Sequence, residues 1–532
     1  DSTLDYDEDW PAVQDLSAMI YIGNWGVESN NAQGVIYETE IAKGRVDVPA
    51  GFDEPADSIL IHGELSGPLV DGIRVLTETP VADTINNTAS QWQGEGSFTG
   101  SMSLDVPIGV RVGEPVGVNL NIELANNSIY MPDFHLDIGH LVGNLEYNNV
   151  TGLHADALSA SVFSETVSAR IETQQSNVDS AINIYVDGRI DMQALYDWSD
   201  QALLKRTSGV ADYKAHVHIP FGGPVGSLSF VSVESSLEGV TIELPAPMGK
   251  DADEAMFLAY KQTFTEPEYT IDLELGDLTR ASFRTSAGVI TGGRFHFGDR
   301  ALGDVNYEKL DVMGELEFVD YDEWGLVMQF LEAQSDVSIE SEMANRLAAI
   351  DLDVNFMKAF GLELRNVETY ITRDPEHWNV SLTNQMLSGL IKVPDSKTRP
   401  LDISLSYLRF DSDESSDDQE TAGDPLAAVL PTDLVALDFR LESLEIGGEN
   451  YGAWSFNMHP TEQGVNLSGL TAEVKGLMVD TGADVIWEYS EEDGHLSKFI
   501  GSVKVPDLAT ALTQWGFASS IEGEKFHFDA DI

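Results

Sequence analysis

Cysteine is absent from all 532 residues. That excludes a disulfide framework, a Cys-ligated zinc site and a thiol nucleophile. Cations are scarce: 29 Lys and Arg stand against 90 Asp and Glu, a net charge of −61. Phosphate backbones need clustered Lys and Arg, so the balance argues against a nucleic-acid partner, and equally against broad docking on an anionic membrane surface. The acidity reads as a solvated exterior, with capture of a cationic partner as the sharper alternative. No run of about 18 apolar residues exists to span a bilayer, and no signal peptide is visible. The chain opens on Asp1 and closes at Ile532 inside a patterned strand. Both ends read as cuts in a longer protein, with any anchor or targeting signal outside.

What the chain has is alternation. Val118, Leu120, Ile122 and Leu124 are separated by Asn119, Asn121 and Glu123. Ile271, Leu273 and Leu275 are separated by Asp272 and Glu274, and Phe526, Phe528, Ala530 and Ile532 by His527, Asp529 and Asp531. Each run is apolar on one side and polar on the other, the period-two pattern of a half-buried strand. Such runs fill most of the sequence, and 42% apolar residues suffice for a core. Phe295, Phe297, Phe318, Phe439, Phe526 and Phe528 fall on these apolar faces. Two readings stay open for them: packing against a second sheet, as in a sandwich, or a wall facing a lipid.

Helical signals are few. Asp191–Arg206 carries a capping Asp and Leu195, Trp198, Ala202 and Leu203 at helical spacing. Pro506–Ala518 carries Leu508, Leu512 and Trp515 on one stripe. Met343–Ile350 reads as a turn or two of helix, and Leu4–Ile22 fits either type. The two clear helices resemble each other, each following a strand with Gly188 or Gly501. A second recurrence is the strand stopped by proline, at Pro49, Pro394 and Pro506, echoed at Pro107 and Pro220. Reiterated strand–Pro units predict one architecture repeated. Asp411–Asp424 reads as a solvated acidic loop, since it lacks the spacing of a calcium loop. The opening acidic run Asp1–Asp9 reads the same way.

Signatures of chemistry are missing. No nucleophile elbow, Walker loop, zincin helix or dinucleotide fingerprint occurs. His216 and His218 project to one face of a strand but have no third ligand at a telling spacing, so a surface or hydrogen-bonded pair is expected. His62, His135, His140 and His154 are less specific still. Phe221-Gly-Gly-Pro224 reads as a turn. No catalytic residue, metal ligand or cofactor site is assigned.

Several stretches resemble the YhdP branch of the AsmA-like superfamily of bacterial envelope proteins. These are Ser235–Ala255 with its Leu-Pro-Ala-Pro-Met-Gly-Lys segment; Ala349–Pro394 through Phe360–Leu364, His377-Trp378 and Gly389–Pro394; Leu437–Trp487 through Leu444–Gly448, Tyr451-Gly452 and Gly482–Trp487; and the Asp507–Gly516 helix. The resemblance covers most of residues 190–532 and is thinner upstream, resting on pieces such as Ser66–Leu69. It implies a periplasmic β-sheet curled into an apolar groove, anchored in the inner membrane of a Gram-negative cell by a helix outside this sequence. It also implies carriage of phospholipid toward the outer membrane without catalytic residues or cofactor.

The expected fold is therefore mainly β: a long antiparallel sheet curled into an elongated groove, with a few short helices. Three segments are expected: 1–190, 191–400 opened by a helix, and 401–532 carrying the helix 506–518. The expected partner is the phospholipid acyl chain, with the inner-membrane anchor and the outer-membrane contact outside the sequence. Candidate wall residues are Leu120, Ile122, Leu273, Leu275, Phe295, Phe297, Leu405, Phe526 and Phe528. The rival readings are an envelope scaffold or adhesin-like sandwich that binds protein or glycan and, held more weakly, a carbohydrate-active β-solenoid enzyme.

Overall fold

A computed structural model of the chain describes residues 2–5, 10–23, 26–50, 55–79, 89–175, 180–221, 228–265, 268–286, 289–334, 346–359, 362–396, 398–410, 430–490, 494–518 and 526–531. Strands dominate, as the alternation predicts. The chain divides into two compact units, residues 1–244 with 248–289, and residues 245–247 with 290–532.

In the first unit the strand pairings run antiparallel from Ser2–Leu4 to Thr279–Ser286. The ambiguous segment near the start settles as the strand Val13–Gly23. The run Val118–Leu124 lies in Gly117–Met131, and Ile271–Leu275 in Glu268–Leu275. Bulges interrupt the register in several strands. In three consecutive strands they coincide with left-handed backbone at Asp15, Asn31 and Lys43, and in two more at Asn126 and His140. Bulges that line up across neighbouring strands bend and twist the ladder along a shared crease.

The second unit amends the expectation of a purely antiparallel sheet. Val289–Phe297, Leu310–Asp320 and Leu347–Ala359 are mutually parallel neighbours. Leu401–Phe410 is parallel to Leu437–Leu441 and Leu444–Ile446. The remaining described pairs are antiparallel. Parallel neighbours need a long crossover. Residues 298–309, a helix at Tyr321–Gln334 and the long segment after Phe410 supply the connections. The acidic segment Asp411–Asp424 lies outside the described residues, as do Asp1, 6–9 and Gly222–Pro224.

Four α-helices are described: α1 (Leu69–Glu78), α2 (Met192–Ser199), α3 (Tyr321–Gln334) and α4 (Leu508–Gln514). Each follows a strand directly. Asp191, the predicted cap, accepts from the Gln193 and Ala194 amides, and Asp507 caps the other helix in the same way, accepting from those of Ala509 and Thr510. Both helices are shorter than expected. Asp200 turns left-handed and ends α2, and Ala202–Arg206 continues as a 3-10 segment. Residues 515–518 fall past the end of α4. Helix α3 starts at Asp320, whose carboxylate accepts from the Asp322 and Glu323 amides. The expected turn at Met343–Ile350 is strand from Leu347 onward, with 343–345 outside the described residues.

Tracing the register shows that the helices leave from one edge of each ladder. In the first unit Pro68 and Asp191 end strands on the same edge. In the second, Asp320 and Val505 do. Pro49, Pro107 and Pro220 stand at or beside strand ends on the opposite edge of the first unit. Pro394 and Pro460 do so in the second. Proline cannot donate to a ladder, which confines it to such ends. Each ladder thus has a helix rim, where Pro68, Pro132 and Pro506 also stand, and an opposite rim, the proline rim, from which none of the described α-helices leaves.

Candidate functional site

Residues directly opposed across a ladder share a face, so reading partners from strand to strand maps each face. In the first unit one such row reads Phe98, Leu124, Gly143, Leu158, Ala169, Val186, Ala215, Val233, Tyr260, Leu273 and Ala281. In the second unit a row reads Phe295, Val312, Ile350, Ile371, Val380, Ile391, Ile403, Phe439 and Phe456. Its neighbour runs Phe297, Gly314, Leu352, Thr369, Leu382, Gly389, Leu405, Leu441, Trp454, Ala472, Val479, Val503 and Phe528. An apolar face therefore crosses strand after strand with few polar interruptions. Its backbone polar groups are satisfied within the ladder.

The wall candidates fall on these faces. Leu120 opposes Met102 and Tyr147; Ile122 opposes Gly100 and Leu145 and packs on the buried cluster of Leu69, Phe98, Leu124 and Leu158. Leu273 is in the long row, and Leu275, one row on, packs on Met192 of α2, Ala211 and Val240. Phe295 sits in the nine-residue row, and Phe297 and Leu405 share the other. Phe528 takes the register position opposite Val503, and Phe526 that opposite Val505; the side chains of 526–531 lie outside the described residues. Phe318 stacks on Phe356 at 5.8 Å and Phe439 on Phe456 at 4.9 Å.

Covering differs along the face. In the first unit Phe98, Leu124 and Leu158 are buried, and Leu69 of α1 joins their cluster. Asp71 ties α1 down by accepting from the Thr39 hydroxyl (2.9 Å) and the Glu38 amide (2.8 Å). In the nine-residue row of the second unit every side chain is half-buried and none is buried. Tyr147, Tyr213 and Tyr260 all stand on the apolar face of the first unit. Burial raises all three phenol pKa values, as a low-dielectric surface requires. Beside α4 an apolar cavity of about 230 Å³ is lined by Leu477, Leu508, Ala511, Leu512, Trp515 and Phe517. A second, of about 250 Å³ near Leu120, is lined largely by Asn119, Asn121, Glu146, Asn148 and His154, polar residues that do not extend the apolar wall.

The opposite face is polar. His216 and His218 lie there, both 2.9 Å from the Asn183 side-chain oxygen. They are a hydrogen-bonded pair, the reading preferred from sequence. Burial, then His218 and Lys261, lowers the His216 pKa. Among the described residues no group of three His or carboxylates could hold a metal. No helix among them is long and apolar enough to cross a membrane. Sequence reasoning missed α1 and α3, although Leu69, Ile73 and Leu76 keep helical spacing after Pro68.

Apolar rows with few polar interruptions, partly roofed by short helices and elsewhere half-buried, define a class: β-sheet proteins with an apolar face along each ladder. The chain belongs to the YhdP family, whose model, described as YhdP protein, matches residues 1–532, in agreement with the resemblance seen in the sequence. It is similar to the "Intermembrane phospholipid transporter YhdP" of Escherichia coli (strain K12), 24% identical over 268 residues. The match covers 48% of this chain and 20% of that relative. No solved structure matches.

Proposed function

We propose that the apolar face binds phospholipid acyl chains and conducts them between the inner and outer membranes, in support of the outer-membrane barrier, without catalysis or cofactor. The observation that carries this reading is the nine-residue row from Phe295 to Phe456, continuous and left half-exposed. Acyl chains are apolar and non-directional. A wall needs only area to hold them, at about 25 cal/mol per Å² or about 0.8 kcal/mol per buried methylene. Many weak, equivalent positions let a tail slide, whereas a single deep pocket would trap it. The name of the Escherichia coli relative supports phospholipid as the cargo. Such a role belongs in the periplasm, with the membrane anchor and the outer-membrane contact supplied by other parts of the protein.

Native mass spectrometry of the purified chain tests this. Co-purifying phospholipid, and uptake of a fluorescent phospholipid that is lost in Ile391→Asp, is the expected result. A chain that carries no lipid and takes up none overturns it.

A further inference from the structure

Where the nine-residue row meets the proline rim, its chemistry changes. Ile371, Val380 and Ile391 are opposed in that row, and two residues further along their strands stand Arg373, Trp378 and Val393, opposed in turn on the same face. The other strand cations of this region, Lys392 and Arg440, take register positions on the polar face. An arginine on the apolar face therefore stands at its edge, with its guanidinium 5.1 Å from the Trp378 ring centre. Its side chain is 15% exposed and pairs with Asp395 at 2.6 Å.

Two turns meet at this edge, one joining Arg373 to His377 and one following Pro394. The Asp395 amide donates to the Glu376 carbonyl. Arg399 pairs back with Glu376 at 2.9 Å, and His377 Nε2 lies 3.1 Å from Asp374. Arg399 and Glu376 are 60% and 71% exposed. Exposed ion pairs are individually weak, so an arriving anion can take over the Arg399 guanidinium without loss of a buried contact. In a chain with 29 Lys and Arg in 532 residues, two arginines, a histidine and a tryptophan converge here within reach of three carboxylates.

We propose that these two turns hold the headgroup of a zwitterionic phospholipid, an extension that rests on the acyl-binding reading above. The phosphodiester lies against Arg399 and Arg373, whose forked donors match its oxygens. The headgroup ammonium faces Asp374 and Glu376. The tails run inward over Ile371, Val380 and Ile391. Trp378 stands at the boundary, where an indole has one apolar side and one wet side.

The test uses the full chain and three probes: dioleoylphosphatidylethanolamine, dioleoylglycerol with the same tails and no phosphate, and glycerophosphoethanolamine with the headgroup and no tails. Binding is read by native mass spectrometry. Arg399→Gln and, separately, Arg373→Gln are expected to weaken the phospholipid about tenfold, the scale of one charge-assisted contact, and to leave dioleoylglycerol unchanged. Arg399 is exposed, so its variant keeps the fold even where the Arg373 variant does not. Ile391→Ser is expected to weaken both lipids. If both lipids bind and neither arginine variant separates them, the headgroup site is wrong and the acyl wall stands. If neither lipid binds the unmodified chain, both readings fall. Glycerophosphoethanolamine binding as tightly as the whole lipid would mark a site for free phosphodiesters and overturn the proposal.

Discussion

Leu124 and Ile391 both stand on the apolar side of a strand, yet they end in different surroundings. Leu124 is 6% exposed, in a cluster joined by Leu69 of α1. Ile391 is half-buried in a row where no side chain is fully covered. Alternation therefore sets which side of a strand is apolar, but not what lies against that side. In the first unit a helix held by Asp71 covers the face locally. In the second unit the nine-residue row stays half-buried from end to end.

The largest expected effect follows directly. Leu124→Ala removes buried methyl groups from a packed cluster and is expected to cost about 3 kcal/mol in urea unfolding, against less than about 1.5 kcal/mol for Ile391→Ala. Equal costs would mean that Ile391 is covered after all. Next, Asp71→Ala removes a buried carboxylate that receives two hydrogen bonds, at a cost of about 2 kcal/mol. It should also raise binding of an apolar dye, because α1 no longer pins the face shut; unchanged dye binding would show that α1 is not the cover. Replacing the caps, Asp191→Ala or Asp507→Ala, is expected to cost about 1 kcal/mol each, read as lost helical signal and a lower midpoint.

A pH effect comes from the polar face. The His216 pKa is lowered, chiefly by burial, so the folded state disfavours its proton relative to the unfolded chain. Its contribution is complete above the ordinary histidine pKa of about 6.5 and declines as pH falls below it. His216→Gln should flatten the stability profile between about pH 7 and pH 5; an unaltered profile refutes the assignment. The smallest effect is expected for Glu78→Gln, which removes the exposed pair with Arg74 on α1 and should shift stability by less than about 0.5 kcal/mol.

Strands such as Gly117–Met131 and Glu268–Leu275 were legible because they hold a period of two over much of their length, and the cap at Asp191 because the Asp precedes a helical stripe. Helices α1 and α3 were not recognised. The first is ten residues long and begins on a proline that reads as a strand end; the second is apolar around most of its circumference, through Trp324, Leu326, Val327, Met328, Phe330 and Leu331, so it shows no clear stripe. The parallel pairs were hidden because direction depends on crossovers and leaves no mark on alternation. The bulge at Lys43 had no cue, since lysine does not favour left-handed backbone as Asn, Asp and His do. The rows themselves were beyond reach from sequence. Leu405 and Phe297 share a row only because six registers between them are fixed, and Arg373 meets Asp395 only through adjacent turns.

The two unlike rims have a consequence for how such a protein changes size. A hairpin inserted anywhere along the ladder starts and returns on the same rim, so it preserves every row and the side from which helices emerge. Each such insertion lengthens the wall by two strand spacings, about 9.6 Å. A ladder built this way is a ruler graduated in hairpins.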